Sequence, residues 1–226
     1  MTTPSAQASA PAPGTSLPWT QVWLYALTRP SEATYNILIN DPAAKPTRGL
    51  LWVGLTSLFI SLAVLVVRVI FGPNMDQMVD LLQRNAGEAA RPISILIVLL
   101  CGIPAGAVFA VLGTVIYTAL INFTAGALGG TGNFNQLVYL FSAITAPLSL
   151  ASTLLSLVPI LGCLGIPLAI YSVYLDILAV KTVHRLDWVR SAGSVLILVI
   201  LGVLIVAVCA AAILIPLFTT MMSNSF

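Results

Sequence analysis

Charge is what this chain has least of. Its 226 residues include 9 Lys or Arg and 7 Asp or Glu, so charged side chains make up 7% of it, against about 25% in ordinary soluble domains. No Asp, Glu, Lys or Arg occurs from Pro92 to Leu175, nor again from Ser191 to Phe226. With 59% apolar residues and a mean hydropathy of +1.04, too little polar side chain remains to cover a water-soluble globule. Apolar tracts of this length belong in lipid. A disordered chain is excluded with it, and a net charge of +2 leaves no basic footprint for nucleic acid. The 3 cysteines, Cys101, Cys163 and Cys209, are odd in number, form no C-x-x-C pair and lie inside apolar tracts. They read as small buried hydrophobes and not as a disulfide scaffold.

The inventory of reactive groups is equally short. The 1 histidine, His184, is followed by Arg185, so there is no H-E-x-x-H zinc motif and no bis-histidine haem site. No G-x-x-x-x-G-K-[ST] phosphate loop occurs. Intramembrane aspartyl proteolysis needs two carboxylates at depth, and only Asp176 qualifies. The expectation is a protein without catalytic residues, cofactor or metal.

What is present is a series of apolar runs with punctuation. Residues 1–17 are mostly Ala, Pro, Ser and Thr and read as a disordered tail. Residues 18–48 read as short helices lying along the membrane surface. Trp19, Trp23 and Leu27 fall at i, i+4 and i+8, and indoles favour the headgroup zone; with Arg29 they are the expected interfacial anchors. A bundle over 49–218 follows, with spans at about 50–71, 93–122, 137–157, 160–183 and 193–217, an outer amphipathic helix at 74–90, and a short tail at 219–226. Residues 93–122 would extend about 45 Å as a helix, beyond a hydrocarbon core of roughly 30 Å. Gly102, Pro104 and Gly106 mark a kink or close helix approach that absorbs the excess. Pro147 lies inside the third span, and Pro159 in a hairpin, Val158–Gly165, that has no polar side chain. Ala125–Gln136 reads as a Gly- and Asn-rich connection, and Lys181–Arg190 as a polar loop. The fold class is therefore all-α, a polytopic bundle of five transmembrane helices with interfacial amphipathic helices.

An odd number of spans puts the termini on opposite sides. Arg29, Lys45, Arg48, Lys181, Arg185 and Arg190 fall on one side, Arg68, Arg84 and Arg91 on the other. The imbalance points to a cytoplasmic N-terminus and an outer C-terminus. Asp176 stands one to two turns below the cytoplasmic end of the fourth span. An acid at that depth should face the bundle interior and find a donor, and Tyr117 and Asn122 are the expected ones. It reads as a packing carboxyl, or as an ion or proton site. His184 and Lys181 read as cations suited to the helix C-terminus and to anionic headgroups, with docking or pH sensing as the other role for His184.

An ordered series of residues resembles the Yip family of multi-pass membrane proteins, named for interacting with Ypt/Rab GTPases. It runs Trp23, Thr28-Arg29-Pro30, Gly130-Thr131-Gly132-Asn133-Phe134-x-Gln136, Pro147, Pro159-x-x-Gly162, Tyr174, Lys181-x-x-His184 and Ala192. The resemblance covers about residues 19–218 and implies five spans, a cytoplasmic N-terminus and no enzymatic activity. Eukaryotic relatives bind Rab GTPases through a longer N-terminal part with a D-L-Y-G-P-like sequence. This chain lacks that sequence, so Rab-type binding is not carried over. The chain is more similar to compact bacterial and archaeal members, which implies a cytoplasmic membrane; in a eukaryote the Golgi or ER would be the setting. The expected partners are the lipid bilayer and other membrane proteins, a second copy included, through small-residue helix faces. The expected role is membrane organisation or partner docking, with a small ion or solute transporter built on Asp176 as the alternative.

Overall fold

The computed structural model describes residues 16–71, 101–157 and 159–223. They are 86% helical, without strands among them, and hold five helices long and apolar enough to cross a membrane. The elements in chain order are α1 (Trp19–Thr28), α2 (Glu32–Ile39), α3 (Pro46–Phe71), α4 (Ile103–Ala127), α5 (Phe134–Ser156), a 3-10 turn (Pro159–Leu164), α6 (Gly165–His184) and α7 (Trp188–Ser223). The spans are α3 to α7. Residues 1–15 and 224–226, and the outer amphipathic helix expected at 74–90, lie outside the described residues.

Local chemistry sets the ends. Ser31 caps α2, its hydroxyl oxygen accepting from the Thr34 N–H at 3.1 Å, and Glu32 sits in the first turn where the helix dipole favours a carboxylate. Asp41 then ties the chain down. It accepts from the Leu17 N–H at 3.0 Å and the Ala43 N–H at 2.9 Å, while Arg48 lies 3.7 Å from it and donates to the Leu17 carbonyl at 2.6 Å. Leu17, read from sequence as the end of a loose tail, is buried.

Several boundaries differ from those the sequence predicts, each for a local reason. α4 runs on to Ala127, because Phe123–Gly126 contains nothing that breaks a helix. It ends in a Schellman arrangement, with Gly129 at φ +95°, the Gly130 N–H on the Ala125 carbonyl at 2.9 Å and the Gly129 N–H on Gly126 at 3.0 Å. α5 starts at Phe134 because Asn133 caps it, accepting from the Asn135 N–H at 2.9 Å. The polar loop expected at Lys181–Arg190 shrinks to three residues. α6 continues through His184, Arg185 takes a left-handed conformation (φ 54°) as its cap, and α7 begins at Trp188 and continues through Ser223, into the residues read as a tail.

Packing is uneven along the bundle. α5 is central, burying Leu137 through Ile144, then Ala146 and Leu148. α3 lies against it, with Trp52 meeting Tyr139. Gly49 makes that approach possible: a Cβ there would stand 2.8 Å from Ser142 Cβ and 3.3 Å from Tyr139 Cα. Gly106 of α4 faces Ser61 of α3, a Cβ there falling 3.7 Å from Ser61 Oγ, an ordinary van der Waals distance. Beside it the backbone makes a π-type turn at Cys101–Gly102, with Pro104 in the first turn of α4. Pro147 interrupts the backbone bonding of α5 without ending it. The buried side chains cluster at the end of the bundle that carries α1, α2 and the α4–α5 and α6–α7 connections; we call this the polar end. Towards the other end α3, α4, α6 and α7 present Phe59, Phe109, Ile166 and Ile205 to the outside.

Candidate functional site

Two groups of polar residues meet the helices, one at the polar end and one halfway along α6.

At the polar end, α1 buries Val22 and Ala26, and α2 buries Tyr35 and Leu38. The Tyr35 hydroxyl donates to the Ala26 carbonyl at 3.2 Å, and the Tyr171 hydroxyl donates to Leu27, which locks α1 to α2 and α6. Burial holds the Tyr35 phenol above its ordinary pKa, and the negative charge of Asp176 adds to this. Trp19 and Trp23, read from sequence as headgroup anchors, flank the fully buried Trp52 edge-on, at 5.7 and 6.1 Å between ring centres, and Trp19 keeps an exposed side. Tyr139 lies 5.5 Å from Trp52 on another side, and the Arg48 guanidinium stands 5.2 Å over its ring. Edge-on indole pairs and a guanidinium over the ring face fix the geometry of this cluster. Arg29 remains exposed, over Tyr25 at 5.8 Å. Sequence reasoning missed Trp52; its signal is the Arg48–Trp52 spacing of one turn at the start of a span.

His184 differs most from expectation. It is 2% exposed, and its Nδ1 accepts a hydrogen bond from the Gly132 N–H at 3.1 Å. That nitrogen therefore carries no proton, and the ring is not the charged end-of-helix group the sequence suggests. The Thr131 N–H also donates to the His184 carbonyl, at 3.3 Å. Two glycines make the fit: a Cβ on Gly132 would lie 2.7 Å from His184 Cγ and 2.8 Å from the Val183 oxygen, and one on Gly130 2.7 Å from Nδ1. Gly130-Thr131-Gly132 is thus a clasp on the end of α6. Lys181 turns away to Glu32, at 2.5 Å, and lies 5.5 Å over the Trp188 ring.

Halfway along α6, Asp176 accepts from the Tyr117 hydroxyl of α4 at 3.0 Å. Of the two donors expected, Tyr117 is the one it meets. Asn122 is separate, its Oδ1 buried without a hydrogen-bond partner among the described residues. Asp176 also closes one end of an open groove of about 290 Å³ between α5 and α6. Ile144, Leu148 and Leu168 make its apolar walls, and Thr145, Ser149, Ser152 and Ser172 supply hydroxyls. Among the described residues no group of three or more His, Cys, Asp or Glu is placed to hold a metal ion.

Five apolar spans, four of them around the more polar central α5, capped at one end by short helices, define a polytopic α-helical integral membrane protein. The chain belongs to the Yip1 domain family, whose model matches residues 24–211. The match contains the Gly130-Thr131-Gly132 clasp, Asp176 and His184. No curated protein matches the chain, and neither does any solved structure.

Proposed function

We propose that the protein is a non-catalytic membrane organiser that docks membrane or partner surfaces through the polar end of its bundle, with that end in the cytoplasm. The observation that carries the reading is the surface of this end. It exposes Leu24, Ile37, Trp188 and Val189 together with the cations Arg29, Lys45, Arg185 and Arg190, on a base rigidly fitted by the clasp and the Trp52 cluster. Apolar side chains beside cations suit a surface that carries anionic headgroups, and the excess of cations supports the cytoplasmic orientation. The test uses protein reconstituted in vesicles and mixed with a second, anionic population. Wild type should cluster the two, and Arg29→Glu/Lys45→Glu/Arg185→Glu should lose most of the clustering. Equal clustering by both proteins would remove this reading.

A second reading, movement of a small ion or solute, is favoured by one observation: the α5–α6 groove reaches Asp176. Intramembrane acids commonly mark such sites. Flux across reconstituted liposomes that Asp176→Asn abolishes would support it, and its absence in wild type would end it.

A further inference from the structure

We propose that the α5–α6 groove is a binding site for one monovalent cation. The inference rests on the second reading above and names its ligand. The chemistry comes from what the lining side chains have left to offer. Ser149 donates its hydroxyl proton to the Ala146 carbonyl at 2.8 Å, Ser152 to Ser149 at 3.0 Å, and Ser172 to Ala169 at 2.7 Å. Each proton is committed to its own helix, so these hydroxyls present oxygen lone pairs to the groove. Asp176 adds a carboxylate. Tyr117 occupies its Oδ2, and among the described residues Oδ1 takes no hydrogen bond. Ser172 sits one helical turn before Asp176, on the same face. The result is a row of serine acceptors ending in the Asp176 carboxyl, which Tyr117 meets as a donor, with the exposed Thr145 hydroxyl beside it.

That set suits a cation of charge one. A divalent ion in a site of this kind draws on several carboxylates or on many oxygens held at fixed geometry, and Asp176 is the one carboxylate that lines the groove. An anion would face repulsion. Access follows from where the groove lies. It runs from Gly165, at the first turn of α6, to Asp176, about 16 Å at the helical rise. Beyond Asp176 α6 is packed, with Ile177–Val180 and Thr182–His184 all buried. The groove stops at Asp176 on the side of the polar end and is open along its flank, where Thr145 and Ser152 are exposed, which is the form of a binding site and not of an open pore.

The experiment measures thermal unfolding of the full chain in nanodiscs, with sodium, potassium or ammonium chloride titrated against choline chloride at constant ionic strength. A saturable rise of the midpoint with one of these ions, about 3–6 °C at tenfold its dissociation constant, is expected. It should vanish in Asp176→Asn, whose amide oxygen still accepts from Tyr117. Should that variant not fold, Ser149→Ala/Ser172→Ala should raise the half-saturating concentration on the order of tenfold. No rise beyond choline, or the same rise in Asp176→Asn, or an unshifted half-saturation in the serine variant, would overturn the site. Binding without flux in the liposome assay would sink transport alone and leave the site standing.

Discussion

α5 and α7 are both spans, yet they invert the rule that holds in water. α5 is the least apolar of the five and the most enclosed: 56% of its most apolar stretch is buried, against 6% for α7, which is the most apolar of all. In a soluble protein the buried helix is the hydrophobic one. Here the solvent is hydrocarbon, and a helix facing it needs apolar side chains all round, whereas a helix surrounded by protein can bury Tyr139 and Ser142. Hydropathy in this chain therefore reports contact with lipid, and polarity reports contact with protein.

The comparison is broken most directly at Trp52, which seats α3 on α5. Trp52→Ala should cost about 3–5 kcal/mol of unfolding free energy. Ile205→Ala on α7, where the side chain is 62% exposed, should stay within about 0.5 kcal/mol. Denaturant titration of the two purified variants checks the pair, and equal losses would end the distinction. A matched pair of glycines comes next. Gly49→Leu drives a side chain into the α5 backbone and should cost about 1–3 kcal/mol, while Gly202→Leu, with open space around its Cβ position, should be near neutral in the same assay. The smallest effect belongs to the place where α7 joins the rest. Lys181→Ala removes the half-exposed ion pair to Glu32 and the contact with Trp188. Its cost should be under about 1 kcal/mol and shrink with salt, read as a salt-dependent difference in unfolding midpoint.

The spans were legible because the charge-free tracts are long and hydropathy reads lipid contact directly. The Asp176–Tyr117 pair was legible too, since depth along two spans places both at one level. Contacts that join distant segments were not. Gly130-Thr131-Gly132 has the composition of a slack connection, and only the approach of His184, 52 residues further on, makes it a fitted clasp. The end of α6 was hidden for a different reason: its left-handed cap is Arg185, where glycine is the usual signal. The contact of Trp19 and Trp23 with Trp52 was hidden as well, because sequence spacing shows a stripe and not what the stripe touches.

The clasp also has a mechanical consequence. α5 and α6 are joined covalently at one end by the Pro159–Leu164 turn. At the other end, hydrogen bonds from Thr131 and Gly132 hold His184. A pair of rods pinned at both ends cannot swing apart like a hinge; it can only bow. Any widening of the space between them must be taken up within the helices, and α5 is weakest at Pro147, which lacks one backbone hydrogen bond. Pro147 lies in the stretch of α5 whose neighbours Thr145 and Leu148 line the groove, so the softest point of the frame lies behind the wall that an occupant would press on.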